Sequence, residues 1–378
     1  MLAHKAFRGG THRVRRPEHT WELIAPLLRN YGVTRVADVT GLDVLGVPVA
    51  MAVRPLARTL TVSQGKGQTL LLAKVSAAME SMELWHAEFR HPQSAHRGVP
   101  AVELDLPYRI DQVSTGPAAL ATECTPLDWV SATGLNDSAM VPVPARIVTV
   151  PEDQRSWVVP GLRWDSNGLA SGNSREEAAL HALYEIVERD AVSGRPGRST
   201  DYVDPTSITE PNCAGLIERI TAAGATLRIV RVPDRFGVPC FGATVWSQEF
   251  PVTCLGWGAH LDAAIAVSRA VTEAAQSRLT AIAGSRDDLP AKYHLVRSNT
   301  EERKPISGPV LAWRDVENAC SGSFDDVNDE LAWLAGKITE VSGVQPLCVD
   351  LSTTDEFAVV KVLAPAATFD QDRVHAAR

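Results

Sequence analysis

The chain has 378 residues, of which 45% are hydrophobic and 22% are charged, a composition that supplies enough apolar surface for a folded core and excludes extensive disorder. Its 37 Lys and Arg residues against 45 Asp and Glu residues give a net charge of −8, so no overall basic field is available to bind a nucleic-acid partner. No apolar run approaches the roughly 20 residues of a membrane helix, and the N-terminus has no apolar signal core, which together predict a cytoplasmic protein without a membrane partner.

A pattern of small and acidic residues occurs three times along the chain. In each copy a Thr, Ser or Asp is followed by two alanines and two acidic or amide residues, at offsets of 4, 8, 11 and 14. The first side chain can cap the free amides of a helix start, so the copies predict helices over about residues 69–90, 174–193 and 262–283. The copies are Thr69, Ala73, Ala77, Glu80 and Glu83, then Ser174, Ala178, Ala182, Glu185 and Glu188, then Asp262, Ala266, Ala270, Glu273 and Gln276.

Apolar segments rich in β-branched residues precede these helices. A strand pair followed by a long helix is typical of antiparallel sheets with helices packed on one face. The sequence therefore predicts an α+β fold with antiparallel sheets, long helices and internal pseudo-repeats of a strand pair plus a helix. The predicted strands are residues 47–53 and 59–62 before the first helix, residues 141–150 and 157–159, less clearly paired, before the second, and residues 240–246 and 252–257 before the third.

The C-terminal segment, residues 310–378, is predicted to complete the same unit. Leu331, Leu334 and Ile338 have the spacing of an amphipathic helix over residues 327–342, and two apolar runs that follow it have the pattern of closing strands. No shift in composition marks a domain boundary, so we predict a single domain over residues 1–378.

The acidic residues of each copy share one helical face with its alanines. At about 100° per residue, the four offsets fall within one sector of the helix. Small residues allow another backbone to approach, so these carboxylates are predicted to face packed protein or a cleft, where unpaired acids are costly. Carboxylates from more than one helix suit Mg²⁺, which often bridges carboxylates and substrate phosphates. The alternative is a solvated face, which the threefold repetition disfavours.

Two glycine-containing loops precede the first and second helices. Lys66 lies in Gln64-Gly-Lys-Gly67, where a lysine and helix N-terminal amides can contact a phosphate. Residues 167–173 offer two glycines and Asn173, and are equally consistent with a plain strand-to-helix turn. The Lys66 segment matches neither a Walker A nor a dinucleotide-binding pattern.

Arginines follow the acidic or amide residues of the second and third copies. Arg189 comes directly after Glu188, and Arg278 and Arg286 come after Gln276. The planar guanidinium suits a phosphate group. For Arg189 and Arg278, neutralisation of the inward-facing glutamates is an equally good interpretation.

These segments together resemble the YcaO superfamily. The resemblance covers about residues 10–365, and in that family the domain binds ATP and Mg²⁺ and phosphorylates the carbonyl oxygen of a backbone amide. A nucleophile then replaces the oxygen: a Cys, Ser or Thr side chain gives an azoline, an amine gives an amidine, and sulfide gives a thioamide. The segments are Gly65-Lys-Gly67, Ser76-Ala-Ala-Met-Glu80-Ser-Met-Glu83, Ser171-Gly-Asn-Ser-Arg-Glu-Glu177, Glu185-Ile-Val-Glu-Arg-Asp190, Glu273-Ala-Ala-Gln-Ser-Arg278 and Gly284-Ser-Arg-Asp-Asp-Leu289.

The resemblance also implies roles for individual residues, although it assigns no catalytic residue. The Mg²⁺-binding residues that it implies are Glu80, Glu83, Glu177, Glu185 and Glu188, to which the repeat adds Gln276. The ATP-binding residues are Lys66, Ser76, Asn173, Arg189, Arg286, and the pair Arg13 and Thr20, whose spacing is similar to a Lys/Ser pair of the family.

Features at both ends of the chain indicate a branch of the family. The chain ends Asp372-Arg-Val-His-Ala-Ala-Arg378 where many azoline-forming members have a Pro-x-Pro-x-Pro tail, and no fused leader-peptide recognition domain is evident before residue 60. Residues 32–43 look like the stand-alone branch often encoded beside a TfuA-type partner, which is linked to thioamide formation.

The leading hypothesis is therefore ATP- and Mg²⁺-dependent activation of backbone amides in a ribosomally made precursor peptide, for thioamide formation. The expected partners are that peptide and a TfuA-like sulfur-delivery protein, and a homodimer is left open. The alternatives are azoline or macroamidine formation without external sulfide, a non-catalytic nucleotide-binding scaffold, and a different ATP-dependent ligase acting on a free amine or acid.

Overall fold

Helices and strands alternate along the chain in this computed structural model, which describes residues 3–113, 121–151, 161–194, 201–284, 308–317 and 323–369. The chain divides into two compact units. The first unit contains Met1–Lys5, Glu83–Gly194 and Phe324–His375, and the second contains Ala6–Met82, Arg195–Ser323 and Ala376–Arg378. A single domain over the whole chain stays a prediction.

The elements are numbered here in chain order. The helices are α1 (Pro17–Ile24), α2 (Leu70–Phe89), α3 (Ala145–Val148), α4 (Arg175–Ser193), α5 (Pro211–Ala222), α6 (Ala263–Ala283), α7 (Trp313–Glu317) and α8 (Val327–Ser342). The strands are β1 (Arg35–Asp38), β2 (Val49–Val53), β3 (Val62–Lys66), β4 (Ser94–Pro100), β5 (Pro126–Gly134), β6 (Met140–Pro144), β7 (Leu169–Gly172), β8 (Asp201–Val203), β9 (Thr226–Val232), β10 (Cys240–Trp246), β11 (Cys254–Ala259), β12 (Val310–Leu311), β13 (Leu347–Asp350) and β14 (Ala358–Leu363). Across the described ranges, no helix combines the length and the apolar character needed to cross a bilayer.

The first unit is built on one antiparallel sheet with the strand order β4-β5-β13-β14-β7, to which β6 is added beside β5. Helix α4 packs against β7, β14 and α8. It begins after Ser174, whose hydroxyl accepts a hydrogen bond of 3.2 Å from the Glu177 amide. This N-cap is the one that the repeat predicts.

The strand before the second repeat helix has a partner far along the chain. Strand β7 pairs with β14, close to the C-terminal end of the described chain. Strand β6 carries Pro142 and Pro144, and since proline has no amide hydrogen to donate, it is confined to the edge of a sheet. Residues 157–159, the other predicted strand, lie outside the described residues, so a strand pair formed by them before the second helix stays a prediction.

The second unit contains two sheets, ordered β1-β2-β3 and β11-β10-β9-β8-β12. The strand pairs β2–β3 and β10–β11 are antiparallel and are followed by α2 and α6, as predicted for the first and third copies. A core of buried apolar side chains joins α5 and α6 to the larger sheet, with Phe241 and Trp313 among its large members.

The predicted bounds 59–62 are wrong, because β3 begins only at Val62. The two segments predicted as glycine-containing loops lie largely in strands, since residues 64–66 end β3 and Leu169–Gly172 form β7.

Each repeat helix lies directly against a glycine of the strand before it. A Cβ atom on Gly65 would lie 2.2 Å from the Ala73 carbonyl oxygen and 2.0 Å from the Ala77 amide nitrogen. A Cβ atom on Gly258 would lie 2.1 Å and 2.8 Å from the same atoms of the equivalent residues, Ala266 and Ala270. In the second copy the glycine is Gly172, and the six repeated alanines are all 0% exposed. The internal repeat therefore reflects one packing geometry used three times.

Candidate functional site

In the first unit, Glu83 on α2 is held by strand β7. Its Oε1 atom accepts a hydrogen bond of 2.9 Å from the backbone amide of Ser171 and another of 2.5 Å from the Ser171 hydroxyl. The sequence identifies Glu83 as a candidate metal ligand but gives Ser171 no role, because the two residues lie 88 positions apart. Only the packing of α2 against β7 reveals this contact.

Glu177 is held in the same way. Its Oε1 atom accepts hydrogen bonds from the backbone amide and the side-chain Nδ2 of Asn173, at 3.1 Å and 2.9 Å. Glu177 is 3% exposed and Asn173 is 7% exposed. The structure thus brings together two residues that the resemblance assigns to different ligands, the metal and the nucleotide.

Glu185 and Arg189 form an ion pair one turn apart on α4. The guanidinium lies 2.5 Å from the Glu185 carboxylate, and its carbon lies 5.3 Å from the centre of the Phe369 ring. Burial opposes the charge of Arg189, but nearby carboxylates more than offset that effect and raise its pKa above the ordinary value. These carboxylates are Glu185, Glu188 and Asp165. This geometry agrees with one of the two interpretations of Arg189, namely that it neutralises an inward-facing glutamate, here Glu185.

Lys361 is a buried cation that sequence reasoning missed. It donates hydrogen bonds of 2.8 Å and 2.7 Å to the carbonyl oxygens of Asp165 and Asn167, and it lies 3.5 Å from the Asp165 carboxylate. Burial lowers the pKa of Lys361. The signal for this residue was a single lysine within the otherwise apolar strand β14. It fixes the turn that leads into β7, and β7 in turn holds Glu83 and Glu177.

In the second unit, Lys66 at the end of β3 pairs with Glu273 on α6. The ammonium donates a hydrogen bond of 2.8 Å to the Glu273 carboxylate, across 207 positions of sequence. On either side of this pair, Thr280 donates to Gln64 and Gln68 donates to Ser268. Glu273 stands at the same repeat position as Glu185, which also meets a cation. The repeat contains this equivalence, but neither the repeat nor the family resemblance predicts a ligand role for Glu273.

Arg278 has a different partner from the one that the sequence suggested. Its Nε donates to both carboxylate oxygens of Asp43, at 3.1 Å and 2.9 Å, and its Nη1 donates to the Ser247 hydroxyl at 3.1 Å. The interpretation that Arg278 neutralises an inward glutamate is therefore wrong. The guanidinium is withdrawn into the protein, 2% exposed, and anchors the loop that carries Asp43.

Replacing Asp43 by Ala is expected to destabilise the protein by about 3–5 kcal/mol, because it leaves the buried Arg278 charge without its carboxylate. Urea unfolding followed by circular dichroism measures this change. The matched control is Asp111→Ala, which removes a carboxylate from the solvent-exposed pair with Arg109 and should leave the free energy of unfolding unchanged. Equal effects of the two substitutions would contradict the structural role of Arg278.

The remaining predicted residues have the following positions. Glu188 is buried on α4, and Glu80, Ser76 and Gln276 are half-buried on α2 and α6. The Thr20 hydroxyl donates to the Arg16 carbonyl at 3.3 Å, and Arg13 donates to the His12 carbonyl at 3.3 Å. Arg286 lies outside the described residues.

The acidic side chains of the first unit fit Mg²⁺ in their chemistry. Buried carboxylates such as Glu177 and Glu188 are costly unless positive charge meets them. Over the residues that the structure describes, no three His, Cys, Asp or Glu side chains come together as a metal-binding group. Mg²⁺ needs only one or two carboxylates when phosphates and water complete its coordination. This donor set therefore suits a metal ion that arrives with a nucleotide rather than a closed protein cage.

Comparison with protein families gives one match that covers most of the chain. A family model described as YcaO cyclodehydratase, ATP- and Mg²⁺-binding, matches residues 64–368. The chain is also 40% identical over 371 residues to an uncharacterised protein of Mycobacterium tuberculosis, covering 95% of this chain and 83% of that protein. It is 38% identical over 296 residues to an uncharacterised protein in the tfuA 3′ region of Rhizobium leguminosarum bv. trifolii, covering 74% of this chain and 69% of that protein.

Solved structures show the same fold. The structure of YcaO from Methanopyrus kandleri bound with AMPPCP and Mg²⁺ matches with a TM-score of 0.75 and 24% identity, covering 97% of this chain and 95% of that chain. A heterocyclase in complex with substrate and cofactor matches with a TM-score of 0.74 and 22% identity, covering 98% of this chain. This chain spans 54% of the length of that heterocyclase.

Proposed function

Because the chain belongs to the YcaO cyclodehydratase family, we propose that it is an enzyme that uses ATP and Mg²⁺ to phosphorylate a backbone amide oxygen of a peptide, for thioamide formation. The observation that carries this proposal is the set of buried or half-buried carboxylates held around β7 and α4. Glu83 and Glu177 are each fixed by two donors, and Glu188 is buried on the next turns of α4. Negative side chains held in this way favour a bound cation.

The proposed reaction needs activation because an amide oxygen is a poor leaving group. The amide oxygen attacks the terminal phosphorus of ATP and ADP leaves; the incoming nucleophile then bonds to the amide carbon, and the oxygen departs with the phosphate. Mg²⁺ bound with the nucleotide neutralises charge on the transferred phosphoryl group. We propose that Glu80, Glu83, Glu177, Glu185 and Glu188 hold the metal, with Gln276 as the third-copy equivalent.

The cationic side chains are proposed to bind the nucleotide. Arg189 has five N–H donors, so it can keep its ion pair with Glu185 and still donate to a phosphate oxygen. Lys66 is the last residue of β3, shortly before α2, and its ammonium has donors beyond the one that it gives to Glu273. Arg13, Thr20, Ser76, Asn173 and Arg286 are proposed for the same nucleotide on the family resemblance.

Sulfide is proposed as the nucleophile because of the branch that the chain resembles. One relative, 38% identical, is an uncharacterised protein in a tfuA 3′ region. The location of that relative supports a TfuA-like protein as the sulfur-delivery partner. A precursor peptide is proposed as the substrate on the family resemblance. The second candidate is azoline formation by cyclodehydration, which the family description and the fold match to a heterocyclase favour.

Mass spectrometry distinguishes the two reactions. The protein is incubated with ATP, Mg²⁺ and the short peptides encoded near its gene, with and without sulfide and the TfuA-like protein. Thioamide formation exchanges one oxygen for one sulfur and requires sulfide, whereas azoline formation removes one water without it. An isotopically labelled amide oxygen should appear in the released phosphate in both cases. ATP-independent products, or no product from any peptide, would contradict the proposed activity.

Replacing Lys66 by Ala is expected to weaken binding of Mg²⁺–AMPPCP about 10- to 100-fold, since a hydrogen bond to a charged group contributes about 1.5–3 kcal/mol. Isothermal titration calorimetry measures this change. The control is Lys74→Ala, because Lys74 lies on α2 away from the face of Glu80 and Glu83. Equal dissociation constants for the two variants would remove Lys66 from the nucleotide site.

A further inference from the structure

Strand β7 ends the sheet of the first unit, so one of its edges faces away from the other strands. Its inner edge pairs with β14, and the Val362 amide donates to the Gly168 carbonyl at 2.8 Å. Alternate residues of a strand direct their amides to opposite edges. The amides of Ser171 and Asn173 therefore point to the outer edge, where an unpaired buried donor would be costly.

Two glutamate side chains accept the hydrogen bonds of these outward-pointing amides. Glu83 accepts the Ser171 amide and Glu177 accepts the Asn173 amide, at 2.9 Å and 3.1 Å. In both cases the side chain of the donor residue also bonds to the same oxygen, Oε1, at 2.5 Å from the Ser171 hydroxyl and 2.9 Å from the Asn173 amide group. One arrangement is thus used twice, at Ser171 in β7 and at Asn173 directly after the last residue of that strand.

The side-chain hydrogen bonds from Ser171 and Asn173 are not needed to satisfy the backbone amides of the strand edge. A backbone amide is satisfied by one acceptor, so the amide alone accounts for the first hydrogen bond of each pair. Two donors that meet one carboxylate oxygen from different directions also restrict rotation of the glutamate side chain, whose ordering carries a large entropic cost. Ser171 is 6% exposed, which places this contact away from competing water.

We propose that Ser171 is a positioning residue that orients the Glu83 carboxylate for Mg²⁺, as Asn173 orients Glu177. This inference rests on the proposed function and adds Ser171, to which the sequence and the comparisons assign no role. Asn173 then acts on the metal through Glu177, in addition to the nucleotide contact that the resemblance implies for it. Hydrogen-bond partners behind a metal ligand typically change metal affinity about 10- to 100-fold when they are removed.

The test is Ser171→Ala, which removes the hydroxyl but keeps the backbone amide and the strand edge. Mg²⁺ is titrated calorimetrically into the full chain at saturating AMPPCP, and AMPPCP is titrated separately without metal. The expected result is an Mg²⁺ dissociation constant about tenfold higher, with unchanged metal-free AMPPCP binding. The matched control is Ser166→Ala, an exposed serine in the turn before the same strand, which should leave both constants unchanged.

The outcomes separate this inference from the proposed function. An unchanged Mg²⁺ dissociation constant in Ser171→Ala overturns the positioning role alone. Parallel weakening of Mg²⁺ and metal-free AMPPCP binding also overturns it, because a general structural defect then explains the loss. If the wild-type chain shows no Mg²⁺-dependent AMPPCP binding, the proposed function fails first and the inference falls with it.

Discussion

Replacing Glu188 by Gln is expected to lower Mg²⁺-dependent ATP turnover roughly 10²- to 10³-fold, the largest effect on activity among these predictions. Glutamine keeps the size of the side chain but removes its negative charge. Glu188 is 8% exposed on α4, close enough to Arg189 to raise the pKa of that residue. Metal-assisted charge neutralisation contributes several kcal/mol in a phosphoryl-transfer transition state, and about 1.4 kcal/mol corresponds to a tenfold change in rate.

The measurement is ADP release in the presence of peptide, together with calorimetric binding of Mg²⁺–AMPPCP. Glu176→Gln is the matched control, because Glu176 lies on the same helix but off the face shared by Glu185 and Glu188. The control should retain wild-type turnover. Equal turnover in the two variants would exclude Glu188 from the metal site and would favour a scaffold that binds nucleotide without catalysis.

Replacing Gly65 by Ala is expected to destabilise the protein strongly, because the added atom clashes with the backbone of α2. The added Cβ atom would lie 2.0 Å from the Ala77 amide nitrogen and 2.2 Å from the Ala73 carbonyl oxygen. Both are backbone atoms of α2, so no flexible side chain can move aside and the helix itself has to shift from β3. Overpacking of this kind costs about 3 kcal/mol or more, a large fraction of the roughly 5–15 kcal/mol that stabilises a typical folded protein.

Thermal unfolding and urea titration measure this loss. Gly258→Ala, at the equivalent position of the third copy, should behave in the same way, since its Cβ would lie 2.1 Å from the Ala266 carbonyl oxygen. The control is Gly215→Ala within α5, where nothing lies within 4 Å of the added atom. That substitution should stabilise the protein by about 0.5–1 kcal/mol through helix propensity. A stable Gly65→Ala variant would show that β3 and α2 are not in close contact.

The repeat predicts a large part of the fold because helix capping and helix periodicity are local properties. Ser174 and Asp262 cap α4 and α6, and the buried alanines identify the packed face of each helix. The strand pairs before α2 and α6 follow from the same local pattern. The second copy does not follow this local pattern, because β7 pairs with β14, almost two hundred residues later in the chain.

The residue types of the candidate site could likewise be read from the repeat and the family resemblance, but their partners could not. Glu83 meets Ser171, Lys66 meets Glu273 and Arg278 meets Asp43, at separations of 88, 207 and 235 residues. The sequence around a charged side chain on a helix does not indicate which distant residue it will contact.

Periodicity, capping and small-residue spacing depend on neighbours within a few turns of one helix, so the amino-acid sequence alone specifies the three helices, the face that each one buries and the acids on that face. The orientation of a carboxylate depends on donors carried by other strands. The tertiary structure therefore decides the remaining contacts. It determines which glutamate accepts hydrogen bonds from β7, which cation pairs with the acid of the third copy, and which arginine forms a buried structural ion pair.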